Sequence, residues 1–372
     1  MNRTYLLISR AGASRAECVY RGTEKAAGAR IRRVMELQAL RGWILAIYWG
    51  LTVHIAASRA AEPPGPADAM PEVLISGERP GPGMWRVTNG SHTLWILATL
   101  VPLPSRMTWR SHEVETRIAN SQVVLAPPEI MADVGFFGDP AYWALLSRAE
   151  KNPNHRTLKQ VLAPDLYSRW LALSTMYTAR AYDDHVRPIL AARDLFQGAV
   201  DKSGLTTDET VWKTVVKIAH RGHVKIQDVV VRLKMDNPEK WIREFAEVPI
   251  GQEEACLDKT IDRVETDLEP MRHRANLWAV GDVDGLLALT FPDDRIACFN
   301  ALFSVPRFHN QLAQAGSQLD NEWLAAADSA LTRNESSFSV LPISQLLKPD
   351  GWLAKLRARG YSVQDPYGRD LR

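Results

Sequence analysis

Residues 84–104, MWRVTNGSHTLWILATLVPLP, limit what this chain can fold into more than any other stretch. Residues 84–87 form a short apolar run with period two, the mark of an extended segment with one face in a core. Thr88-Asn89-Gly90-Ser91 follows, and Asn-Gly supplies the positive φ angles of a tight hairpin. Residues 94–97 resume as an apolar strand. Val101-Pro102-Leu103-Pro104 must stop it, because proline cannot donate to a ladder. The spacing therefore predicts a β-hairpin whose second strand runs into a loop, a common place for an active-site group. A histidine there could bind a metal through one imidazole nitrogen. Val101 can neither bind a metal nor transfer a proton.

The front of the chain reads as a leader. Residues 43–57, WILAIYWGLTVHIAA, are apolar, follow Arg41, and precede Ser58-Arg59-Ala60, which sets small residues at the −3 and −1 places before Ala61. That pattern is a secretion signal. The run falls short of the roughly 20 residues of a membrane span. Residues 1–60 are thus expected to lie outside the fold as an upstream extension plus a signal at 35–60, with translation starting at Met1 or Met35. Residues 61–83 read as a linker, rich in proline and alanine at first. The leader holds ten Lys/Arg and three Asp/Glu, so the rest of the chain has a formal net charge of −5. The sequence pI of 8.4 belongs to the leader. Without it, nothing favours a nucleic-acid partner.

The hairpin carries a family resemblance. Trp85-Arg86-Val87, the polar turn, Leu94-Trp95-Ile96-Leu97, Thr99 and Leu103-Pro104 resemble the start of the TraB/GumN family, bacterial relatives of the Tiki metalloproteases. The resemblance implies a G-T-x-H signature at the end of the second strand, with a His that holds a divalent metal. Here those places read Ala98, Thr99, Leu100 and Val101. Residues 338–366 resemble the closing segment, in which a strand with a second G-x-x-H leads to a helix at 351–359 and a last strand at 360–363. Its signature places read Leu341, Pro342, Ile343 and Ser344. The family's acidic residue follows a strand like Gln122-Val123-Val124-Leu125, where this chain has Ala126. Glu129 stands three residues on, behind Pro127-Pro128. A third stretch, 251–289, matches through Gln252, a helix at 256–269 and Asn276-x-Trp278-Ala279-x-Gly281-Asp282. Read physically, Trp278 packs, Gly281 ends a helix and Asp282 caps the next.

The resemblance implies an α+β fold over residues 84–366, followed by a tail at 367–372: a central mixed sheet flanked by many helices, with paired signatures suggesting two related halves. Pattern alone places helices at 110–120, 139–148, 163–173, 176–196 with a break at Pro188, 207–220, 239–247, 251–279 and 321–334, and a strand at 224–233. Cys256 and Cys298 remain after the leader, and in an oxidising compartment they are expected to pair. Eight histidines remain. His220-Arg221-Gly222-His223 has a metal-like spacing, but Gly222 should end the helix between the rings. Tyr182-Asp183-Asp184-His185 reads as a solvated helical face. His92, in the hairpin turn, is near the signature in sequence without matching it. Three losses at separate places argue against metal-dependent hydrolysis, since such a site needs several ligands held together. The expectation is an exported, periplasmic or secreted binding or accessory protein of the cell envelope with no cofactor. Its partner is a peptide, a glycan or an envelope protein, and no membrane span remains after cleavage. The alternative is a hydrolase with a rebuilt site, drawing on Thr99, Ser344, Glu129 or a histidine, and a divalent metal belongs only to that alternative.

Overall fold

The computed structural model describes residues 5–8, 81–133, 140–178, 182–234, 237–289, 298, 301, 304–346 and 348–371. The elements in chain order are β1 (Tyr5–Ile8), β2 (Met84–Asn89), β3 (His92–Thr99), β4 (Leu103–Pro104), α1 (His112–Ala119), β5 (Val123–Leu125), β6 (Glu129–Asp133), α2 (Pro140–Ala149), α3 (Leu158–Val161), α4 (Pro164–Tyr177), α5 (Pro188–Lys202), β7 (Leu205–Thr206), α6 (Thr210–Arg221), β8 (Lys225–Gln227) and β9 (Val230–Lys234). They continue with α7 (Pro238–Ala246), α8 (Ile250–Thr266), α9 (Leu268–Val280), α10 (Val283–Leu287), α11 (Pro306–Arg333), β10 (Ser336–Pro342), α12 (Ile343–Leu346), α13 (Trp352–Ala358) and β11 (Ser362–Gln364). This is the α+β architecture that the pattern predicts.

A six-stranded mixed sheet, ordered β11-β2-β3-β10-β5-β8, forms the centre. The hairpin β2–β3 is antiparallel, while β3, β10, β5 and β8 run parallel. The hairpin turn falls one residue later than Asn-Gly alone implies. Asn89 still pairs with His92, and Gly90 takes the positive φ of 58°. Asn89 stays extended because its side chain donates to the Leu331 carbonyl at 3.1 Å. A row of in-register residues crosses the whole sheet: Gln364, Arg86, Trp95, Phe338, Val124 and Ile226. Its middle members Phe338 and Val124 are buried.

A second sheet, β1-β6-β9, continues the first. Pro127-Pro128 interrupt β5 before β6, and the partner strand breaks at Asp228-Val229, so the expected single strand at 224–233 is two. Two backbone bonds span the break, from Ala126 N–H to the Gln227 carbonyl at 2.9 Å and from Glu129 N–H to the Val229 carbonyl at 3.0 Å. Residues Tyr5–Ile8, in the stretch that the sequence reading leaves outside the fold, pair antiparallel with β6. The proposed signal at 35–60 lies outside the described residues. The tail is held too: Arg369 bonds to Asp284 at 2.6 Å, and Leu371 N–H to the Val363 carbonyl at 2.9 Å.

The helices differ from the periodic pattern where tertiary partners intervene. The expected helix at 251–279 is broken at Asp267, whose carboxylate accepts from Arg274 at 2.6 Å. The expected helix at 176–196 is not one helix: α4 ends at Tyr177, residues 182–187 are not helical, and α5 starts at Pro188, where the missing N–H costs nothing. Helix α11 starts at Pro306, well before the expected 321. A helical core built on α3, α4, α5 and α8 buries Leu158, Trp170, Leu195, Leu257 and Ile261. The expected Cys256–Cys298 disulfide is present, with an S–S distance of 1.96 Å, and joins α8 to residue 298.

An ion pair lies inside this helical part. Arg187 and Glu253 are both buried, with the Arg187 Nε donating to Glu253 at 2.7 Å. The same guanidinium donates to the Ala246 and Val248 carbonyls at 3.0 and 2.6 Å, closing the C-terminal end of α7. Glu253→Ala is expected to cost about 3–5 kcal/mol in urea denaturation, because it leaves a buried guanidinium without its counter-charge. Breaking the disulfide with Cys298→Ser is expected to cost about 4 kcal/mol by the same measurement, from the chain entropy of the loop it closes.

Candidate functional site

Parallel strands end on one edge, so β3, β10 and β5 bring their last residues together. The register sets Ala98 beside Leu341 and Thr99 beside Pro342. On the other side of β10, Leu125 pairs with Ser339, and Ala126 follows it. Three places that are far apart in sequence thus become neighbours on three adjacent strands. They are the first signature, the second signature and the acid's place.

The side chains at that edge are apolar and covered. Ala98, Leu341 and Ala126 are 1%, 0% and 6% exposed. Leu100 is also buried. Thr99 is half-buried and its hydroxyl donates to the Leu341 carbonyl at 3.3 Å, tying β3 to β10. Val101 lies two residues past β3, and Ser344 is in the single turn of α12; both are half-buried. A metal of the kind the resemblance implies needs several lone pairs from imidazole, carboxylate or thiolate. At the histidine and acid places Val101 and Ala126 offer none, and the Ser344 and Thr99 hydroxyls are weak ligands when neutral. The residues present do not fit such an ion.

An indole closes the edge instead. Trp278, on α9, is buried and donates from Nε1 to the Ala98 carbonyl at 2.8 Å. Trp109 meets it edge-on at 5.8 Å, an arrangement that favours the ring quadrupoles. The local sequence explains why Trp278 stays there. Gly281 takes φ +73° and ends α9, and the Asp282 side chain accepts from Gly285 N–H at 2.8 Å to start α10. The W-x-x-G-D element is therefore structural, as its capping chemistry implies. Its indole–carbonyl bond to β3 is invisible in sequence. The only hint is that Trp278 falls in a stretch that carries the resemblance.

The remaining candidates lie elsewhere. His92 starts β3, and its Nδ1 is 2.6 Å from the Asn334 carbonyl. At about 3.3 Å per residue, that is about 20 Å from the strand's far end. Glu129 lies past the two prolines, half-buried at the start of β6. Burial first, then Glu209 and Asp228, push its carboxyl up to about 7. His220 and His223 are exposed on either side of the turn that ends α6, and His223 rather than Gly222 takes the positive φ, 53°. Asp183, Asp184 and His185 are in a turn rather than on a helix, which lets their ligand atoms gather within 4.8 Å. That cluster is mostly exposed, and the Lys151 ammonium already bonds to Asp183. A cavity of about 700 Å³ at the elbow of α8 and α9 is lined by Lys259, Asp262, Asp267, His273, Arg274 and Leu289, among others. Its walls are paired internally, Lys259 with Asp262 at 3.1 Å and Arg274 with Asp267 at 2.6 Å.

Trp278→Phe keeps most of the buried ring and removes the donor. Urea denaturation is expected to show a loss of about 1–3 kcal/mol, the cost of leaving a buried carbonyl unpaired. An unchanged midpoint would mean that the bond to Ala98 contributes nothing.

Comparison with known proteins gives one result. No curated protein and no solved structure matches the chain. The model of the TraB/PrgY/gumN family matches residues 83–365, from just before the hairpin to just after the last strand. With most of its length covered by that one match, the chain belongs to the TraB/PrgY/gumN family.

Proposed function

We propose that this chain is an exported member of its family that has lost metal-dependent hydrolysis and serves as a binding or accessory protein in the cell envelope. The observation that carries this reading is that the two histidine places, Val101 and Ser344, each lie two residues past the register pair Thr99–Pro342 on β3 and β10, that the acid's place, Ala126, lies just past β5 on the other side of β10, and that none of the three carries an imidazole, carboxylate or thiolate. In this reading, scattered alignment errors do not explain the missing ligands, because the three places follow the ends of three adjacent parallel strands. An indole fills the space beside them, with its donor spent on the Ala98 carbonyl.

Export is supported by the leader pattern at 35–60 and by the Cys256–Cys298 disulfide, which persists in oxidising compartments. Among the described residues no helix is long and apolar enough to cross a membrane. The domain occupies residues 84–366 behind a linker at 61–83. With a formal charge of −5 outside the leader, the partner is a peptide, a glycan or an envelope protein rather than nucleic acid.

The deciding measurement is elemental analysis of the purified chain with calorimetric titration of Zn²⁺, Mn²⁺ and Co²⁺. The expected result is no bound metal and no stoichiometric binding near the micromolar range. Tight one-to-one binding would overturn the reading and favour a hydrolase rebuilt around Thr99, Ser344, Glu129 or one of the histidines. Intact-mass measurement of the exported protein is expected to place its first residue at Ala61.

A further inference from the structure

Glu129 stands where one sheet gives way to the other. Pro127-Pro128 remove two donors from the chain between β5 and β6, and only the Ala126–Gln227 and Glu129–Val229 bonds described above bridge the gap between the two ladders at that point. Three different elements bring carboxyl groups to this seam. Glu129 is the first residue of β6, Asp228 lies on the link from β8 to β9 next to the Val229 carbonyl, and Glu209 is the N-cap of α6. The surrounding elements also carry Asp208 and Lys213, which pair with each other at 3.5 Å, Lys225 on β8, Arg232 and Lys234 on β9, Asp133 at the far end of β6, and His309 on α11. The groups that act on the Glu129 carboxyl are Glu209 and Asp228, and both oppose its ionisation.

We propose that Glu129, Glu209 and Asp228 form a proton-operated joint between the two sheets, closed when Glu129 is protonated and loosened when all three are ionised. Loosening acts on the two bridging backbone bonds and on the ends of β5 and β8. The direction follows from linkage. Burial and the two neighbouring acids raise Glu129 from 4.5 to about 7, so between those values the closed seam holds a proton that an open seam releases. The stabilisation is complete below pH 4.5 and is lost as the pH rises through about 7.

Hydrogen–deuterium exchange of the full chain reads the joint directly, after correction for the intrinsic pH dependence of exchange. Peptides covering 123–132 and 225–232 are expected to lose protection by a factor on the order of ten from pH 5.5 to pH 8, while peptides of α8 do not. Glu129→Gln is expected to abolish that difference and to raise the thermal midpoint at pH 8. Asp228→Asn is expected to move the transition to lower pH, since it removes one of the opposing charges. Equal protection of the wild-type seam at both pH values overturns the proposal, and so does a Glu129→Gln variant that keeps the wild-type dependence. If Glu129→Gln does not fold, an Asp228→Asn variant with an unshifted transition overturns it instead.

Discussion

The structure is organised by the pairing of β10 with β3 and β5. Seven residues near the end of the chain enter between two strands from its first third, and parallel register then decides which residues can meet. Because β10 is central, its side chains are buried almost throughout, and its neighbours on both sides are positioned by the same backbone bonds. A shift of one residue would turn Leu341 and Ser339 to the opposite face and bury the wrong set. The edge made of Ala98, Leu341 and Ala126 is a direct product of this pairing. So is the location of Trp278, whose indole can reach the Ala98 carbonyl only because β3 ends where it does.

That edge also shows how the signature places are packed in this chain. Alanine and leucine at the signature places add apolar area to a core that already contains Ile96, Leu97 and Val340. Burial of such side chains is favourable by roughly 25 cal/mol per Å² of apolar surface. A buried imidazole or carboxylate without its metal would instead need hydrogen-bond partners. In this chain the pressure at the edge is therefore toward packing, and the aromatic pair of Trp109 and Trp278 completes it.

Much of this was legible from residues alone, and the rest was not for identifiable reasons. The hairpin was legible because alternation, Asn-Gly and the prolines all point the same way. The α6 helix was legible because Val211, Val215, Ile218 and Ala219 recur at helical spacing and are all buried. The disulfide followed from there being two cysteines outside the leader. The break at Asp267 was not legible, because it rests on a carboxylate meeting Arg274 across the kink. The early start of α11 was hidden by a polar first half with Gly316, which shows little periodicity. Strand β6 was hidden behind two prolines that read as a stop. At the candidate site, the sequence could show which residues stand at the signature places. It could not show that the strands carrying the three places lie side by side, or that the Trp278 indole bonds to the Ala98 carbonyl.

The position of β10 also has a consequence in time. During synthesis the residues of the hairpin and of the β5–β8 pair emerge long before residue 336. Until then, β3 and β5 each present an open edge toward the gap that β10 will fill, and unpaired edges are templates for the wrong partner. The central strand arrives after both of its neighbours, so the middle of the sheet cannot close until residue 342 has been made. Everything between Leu125 and Ser336 must be made while those two adhesive edges stay uncovered.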